Sequence, residues 1–153
     1  MRVRLLLVIL CLVTALPATA QARLPSVLTQ HTKRPFEVRP ATIWYTGDGT
    51  GVIGGSDGAS ARYPGRLHWN RYSHRQGRAR GLVWLNDCDP SCAEGTFSAA
   101  PVNVHVFAPR HGHFTRLTLK YAWDGTDVTD QRSIKNFGSY WAYGIIKITP
   151  ATF

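Results

Sequence analysis

Pro101-Val102-Asn103-Val104-His105-Val106-Phe107-Ala108-Pro109, then Arg110-His111-Gly112-His113, then Phe114-Thr115-Arg116-Leu117-Thr118-Leu119-Lys120-Tyr121-Ala122-Trp123, is the stretch that decides the fold. Val102, Val104 and Val106 recur at every second residue, as do Leu117, Leu119 and Tyr121. A period of two sends alternate side chains to opposite faces of a strand, one apolar and one wet. The four residues between the two runs contain a glycine, so the pair reads as a β-hairpin with a short loop.

The same grammar extends outward. Gly81-Leu82-Val83-Trp84-Leu85 is apolar on both faces and predicts a central strand. Residues 66–72 alternate, with Leu67 and Trp69 on one face and Arg66, His68, Asn70 and Tyr72 on the other. Thr42-Ile43-Trp44-Tyr45-Thr46 predicts another strand, ended by Gly47-Asp48-Gly49. Asp124-Gly125 opens a further turn, and residues 145–149 form a last strand closing the domain. No window sustains a helical period. Short strands at roughly ten-residue spacing predict an all-β domain, a single small sandwich or a partly open barrel.

The start of the chain has a different character. Arg2 and Arg4 precede an apolar run over residues 5–16, Pro17 ends it, and Ala18-Thr19-Ala20 supplies small residues at a cleavage site. These are the three parts of a secretory signal. The run is too short for a membrane anchor, which needs roughly 20 apolar residues, and no later stretch could span a membrane. Leu10 before Cys11 argues against a lipoprotein. The expected organisation is a signal peptide over 1–20, an extended arm over 21–40 broken by Pro25, Pro35 and Pro40, and a β-rich domain over 41–153, with a mature start at Gln21 or Arg23.

Of 18 basic residues, 16 remain after Arg2 and Arg4 are removed, against nine acidic ones. Such an excess attracts anionic surfaces and polymers. Only Cys88 and Cys92 remain after cleavage. An even pair in an exported chain reads as a disulfide, here across the tight turn Asp89-Pro90-Ser91. A zinc site would need two more ligands, and a redox pair would more naturally be C-x-x-C.

Other motif matches dissolve in their context. Gly49-Thr50-Gly51-Val52-Ile53-Gly54 fits a dinucleotide fingerprint, but helix breakers follow where its helix must start. Gly54-Gly55-Ser56-Asp57-Gly58 fits a nucleophile elbow without the strand-to-helix turn that motif requires. His111 and His113, with His105, are enough for a metal, yet the surrounding arginines argue for a solvated loop. Asp48, Asp57, Asp124 and Asp127 stand beside glycines as Asx-turn residues rather than a calcium loop. No catalytic residue, metal or cofactor is implied.

The distinctive segment is 62–80. It carries Arg62, Arg66, Arg71, Arg75, Arg78 and Arg80, with Tyr63, Trp69 and Tyr72 interleaved and Trp84 following, and no acid occurs from 59 to 86. Guanidinium forks grip carboxylate, sulfate or phosphate, and aromatic faces stack on rings. The alternative is a solvated edge with Trp69 and Trp84 as core. Taken as a site, it comprises Arg62, Arg66, Arg71, Tyr72, Arg75, Arg78 and Arg80.

Leu67-His68-Trp69, residues 81–97 with their Asn86-x-Cys88-x-Pro90-Ser91-Cys92-Ala93-x-Gly95 core, Pro101-Val102-Asn103-Val104 and Phe114-Thr115-Arg116-Leu117-Thr118 together resemble a loose group of small secreted actinobacterial proteins of uncharacterised function. The resemblance spans roughly 42–121. It implies export and the disulfide turn, and supplies no substrate or catalytic residue. The expected function is a binding module for an anionic polymer or glycan at the cell envelope. Export argues against nucleic acid as the partner. The rivals are a small secreted hydrolase using His68, His105, His113 and aspartates, and a structural or host-facing envelope factor.

Overall fold

The structure is a computed structural model and describes residues 22–30, 35–55 and 65–150. The expected signal peptide, its cleavage site, Arg62 and Tyr63 lie outside the described residues.

The fold is all-β: one curled, half-barrel sheet with the disulfide in a short loop. Among the described residues ten strands are formed: β1 (Val27–Leu28), β2 (Phe36–Glu37), β3 (Ile43–Trp44), β4 (Gly51–Ile53), β5 (His68–Tyr72), β6 (Gln76–Asn86), β7 (Phe97–Arg110), β8 (His113–Trp123), β9 (Thr126–Asn136) and β10 (Trp141–Pro150). Eight of them make the sheet in the order β10-β9-β8-β7-β6-β4-β3, all antiparallel, and β5 pairs with β6 beside β4. β7 covers one edge of β6 throughout, while β5 takes residues 77–80 of the other edge and β4 takes 83–85. The run around Gly81 is therefore central, as its two apolar faces predict.

The β7–β8 and β8–β9 hairpins both turn in two residues. Arg110 pairs with His113 around His111 (φ 49°) and Gly112 (φ 78°). Trp123 pairs with Thr126 around Asp124 (φ 47°) and Gly125 (φ 71°). Two successive positive φ values match the right-handed twist of the flanking strands, which is why glycine sits second in each turn.

The core lies on the sheet's concave side. Val83, Val102, Val104, Val106, Leu117 and Leu119 line it from β6, β7 and β8. The segment expected as an arm fills it: Val27 and Leu28 are fully buried in the same cluster. β1 pairs with β2, packs on β8, and is tied by the bond from Phe114 N to Ser26 O (2.9 Å). Trp44 N donates to Thr29 O (2.7 Å), so the arm also covers β3 at one end of the sheet. The last strand, β10, includes the expected residues 145–149, starts earlier at Trp141, and forms the opposite end of the sheet.

Four strands were not expected: the short β1, β2 and β4, and the long β9. β9 turns Val128, Asp130, Arg132 and Ile134 to the concave side, and in place of a continuous apolar stripe it buries an ion pair. Arg132 Nε and Nη2 both donate to the Asp130 carboxylate at 2.8 Å, and the guanidinium lies 4.8 Å above the Tyr45 ring. Burial, chiefly, pushes the Tyr45 hydroxyl far above the usual tyrosine range.

Candidate anion-binding face

The convex face is wet, and its chemistry comes from the residues alternating with the core. β5 and β6 meet through the turn at 73–75, where Ser73 N donates to Gln76 O (2.9 Å) and Ser73 Oγ accepts from Gln76 N (3.2 Å). On β6, Gly77 and Ala79 face inward and Arg78 and Arg80 outward. Gly77 has no room for a side chain: a Cβ there would lie 2.9 Å from each of Trp69, Tyr72 and Val106.

A bulge corrects the expected β5 pattern. Trp69 pairs with Ala79 and Arg71 with Arg78, so Asn70 is an extra residue. A bulge shifts the alternation by one. Arg71 therefore joins His68 on the convex face, and Tyr72 turns inward rather than standing with Arg66, His68 and Asn70. The Tyr72 ring packs edge-on against Trp69 (5.0 Å) and Phe114 (5.6 Å), and its hydroxyl donates to Pro25 O at 2.7 Å. Tyr72 is thus half-buried and packed against the core rather than standing with the convex-face arginines. Trp69 is likewise packed on the core, its Nε1 donating to Pro40 O at 2.8 Å.

Of the other expected residues, Arg71, Arg78 and Arg80 come together. Arg71 stands directly opposite Arg78, and Arg80 is the next outward residue of the same strand. Arg66 precedes β5 and Arg75 sits in the turn, both exposed at opposite ends of the patch. Sequence reasoning missed the rest. Register places Arg78 beside His105 and Thr118, and Arg80 beside Asn103 and Lys120. Arg78, Arg80, Lys120, Asn70, Asn103, His105 and Thr118 line a shallow depression of ≈ 330 Å³ across β5–β8, with no acid among the described residues of its lining. Asp127 belongs to a neighbouring depression of ≈ 300 Å³ that shares Asn103 and Lys120. The alternation of β7 and β8 marks these residues as outward, but only the strand order shows which arginines they join.

His105 is held in this field. Its Nε2 lies 2.8 Å from Gln76 Oε1 and its ring stacks on Phe107 at 4.8 Å. Partial burial, then the Arg78 charge, holds its pKa below the ordinary histidine value. His113 is engaged elsewhere, with Ser26 Oγ 2.7 Å from its Nδ1 and Phe36 stacked on its ring at 3.9 Å. Among the described residues, no three His, Cys, Asp or Glu side chains are grouped to hold a metal.

The Asn86–Gly95 loop that follows β6 is built on itself. Asn86 Oδ1 accepts from Cys88 N and Asn86 Nδ2 donates to Cys92 O, both at 2.8 Å, around the Cys88–Cys92 disulfide. Asp87 Oδ1 accepts from Asp89 N (3.1 Å) and Thr96 N (2.9 Å). Gly95 packs into this bonding: a Cβ there would lie 2.1 Å from Asn86 Oδ1 and 2.8 Å from Cys88 N. These residues have a structural role. Gly95→Ala is expected to cost roughly 1–3 kcal/mol through overpacking, read as a lowered denaturation midpoint; an unchanged midpoint would show that the loop yields freely.

At the other glycine-rich segment, Asp48 Oδ1 accepts from Thr50 N (3.0 Å) and Thr50 Oγ1 (2.7 Å), an Asx turn leading into β4. The fingerprint match thus runs into a strand, and Ser56-Asp57-Gly58 lies outside the described residues. No protein-family model, curated protein or solved structure matches the chain, so the convex face is interpreted from its geometry and charge alone.

Proposed function

We propose that the chain is a secreted, extracytoplasmic binding module whose convex β5–β8 face holds an anionic polymer or glycan at the cell envelope. The observation that carries this reading is Arg71 placed directly opposite Arg78, beside a depression that Arg78 lines together with Arg80 and Lys120. Like charges facing each other across a strand pair destabilise a sheet. Among the described residues neither arginine has an ion-pair partner, an arrangement suited to an anion supplied from outside. Asn70, Asn103 and Thr118 add neutral donors and acceptors suited to hydroxyl groups. The signal sequence and the basic excess agree with an envelope location. Among the described residues, no helix is long and apolar enough to cross a membrane.

The test is retention of the mature protein on immobilised acidic glycan and on anionic wall polymer across a salt gradient. Exposed charges are screened beyond about 8 Å at physiological ionic strength, so retention should fall steeply as salt rises. If each guanidinium contributes about 0.5–1 kcal/mol, the Arg71→Ser/Arg78→Ser/Arg80→Ser variant should bind roughly tenfold to a hundredfold more weakly. Retention unchanged in this variant would assign binding to net charge instead of this face. No wild-type retention at moderate salt would end the proposal. The same columns run at different pH add a sign. A bound anion favours charged His105, whose pKa in the free protein lies below the ordinary 6.5. Binding should therefore tighten as pH falls through and below 6.5, and His105→Gln should flatten that dependence.

A further inference from the structure

The β9–β10 hairpin carries a second surface of different chemistry. Its loop is Phe137-Gly138-Ser139-Tyr140, closed by Phe137 N donating to Tyr140 O (2.9 Å) and by Asn136 Oδ1 accepting from Gly138 N (2.7 Å). The Phe137 and Tyr140 rings stack on each other at 5.2 Å and 14°, yet they are 53% and 42% exposed. Both rings border a shallow cleft of ≈ 440 Å³ whose other walls are Gly47, Ala142 and Tyr143. Tyr143 is fixed there, its hydroxyl donating to Leu28 O at 2.8 Å.

We propose that this cleft is a second binding site, separate from the basic face, and that it takes a neutral sugar ring of a glycan. Burying an aromatic ring stabilises a protein by removing apolar surface from water. Two such rings left in solvent on a loop pinned by its own hydrogen bonds are presented surface, already ordered before any ligand arrives. The faces of aromatic rings are electron-rich, and the axial C–H bonds of a pyranose present a flat, weakly positive surface to stack on them. Gly47 and Ala142 keep the space beside the rings open. Among the described residues no charged side chain lines the cleft, which selects a neutral ring where the convex face selects an anion. Asp48, the residue after Gly47, is exposed, and with Oδ1 held by Thr50 N and Oγ1 its other carboxylate oxygen could accept from a sugar hydroxyl.

The experiment titrates the mature protein with two neutral linear hexasaccharides, one of glucose and one of N-acetylglucosamine. It uses about 0.5 M salt, where exposed charges are screened beyond roughly 4 Å, and reads saturation-transfer NMR from protein to sugar. The expected result is transfer to sugar ring protons for at least one hexasaccharide, with a Kd near the millimolar range. Phe137→Ala and Tyr140→Ala should each weaken binding about fivefold. Tyr140→Leu should do the same, because it keeps apolar area but loses the ring face. The Arg71→Ser/Arg78→Ser/Arg80→Ser variant should bind like the wild type. Absence of transfer from both sugars at about 10 mM would overturn the proposal. So would wild-type binding by Tyr140→Leu, which would make the surface a general apolar contact. Loss of binding in the arginine variant would move the sugar to the convex face and equally end this assignment.

Discussion

Asp130→Ala is expected to destabilise the protein by about 3–5 kcal/mol, the largest effect of any single polar substitution in the fold. Asp130 is 1% exposed and Arg132 7%, and the carboxylate accepts from two guanidinium nitrogens. Removing the carboxylate leaves a cation buried among Tyr45 and the concave core, with only a long contact of 3.5 Å from Nη1 to the Tyr45 carbonyl oxygen. An uncompensated buried charge costs more than the pair contributed. The decisive comparison is Asp130→Leu/Arg132→Met, which removes both charges while filling similar volume. That double variant should recover most of the loss, because replacing a buried pair by apolar side chains is commonly neutral or stabilising. Urea denaturation at neutral pH gives both numbers. A single variant within about 0.5 kcal/mol of the wild type would mean that water reaches Arg132 and that the pair is not sealed.

The same pair explains why part of the fold was not legible. β7 and β8 announce themselves because every second residue is apolar, and both of their hairpin turns carry glycine at the position needing positive φ. β9 has the same geometry, but its inward series runs Val128, Asp130, Arg132, Ile134, and two charges interrupt the signal that periodicity depends on. Its strand character is visible only once the charges are seen to neutralise each other. The candidate face divides in a similar way. Clustered arginines on residues 71–80 could be read from the chain, and three of them do converge. The inward turn of Tyr72 depended on one extra residue at Asn70, which alternation alone does not reveal. Lys120 and Asn103 joined the patch through the pairing of β6 with β7 and β7 with β8, information held by the assembled sheet.

Leu28→Ala carries the second large expectation, a loss of about 2–5 kcal/mol, because the proline-flanked segment before residue 41 supplies the centre of the core. Leu28 is fully buried and pairs with Phe36 in the β1–β2 ribbon. The curled sheet presents Leu117, Leu119, Val104 and Tyr143 to the same cluster, so a shortened side chain leaves a space that rigid strands on several sides are slow to fill. The main chain at this position also matters, since Leu28 O accepts the buried Tyr143 hydroxyl. Alanine keeps that carbonyl, so the substitution reports packing alone. Val38→Ala supplies the contrast: Val38 is 49% exposed on the same segment and should change stability by less than about 0.5 kcal/mol. A chain beginning at Ala41 loses Val27, Leu28, the Ser26–Phe114 bond and the Thr29–Trp44 bond together, and is expected not to fold cooperatively. Denaturant midpoints for the two point variants and a thermal melt of the truncated chain test these expectations. If Leu28→Ala and Val38→Ala prove equally mild, or the truncated chain melts like the full one, the half-barrel supports its own core and the segment merely lies upon it.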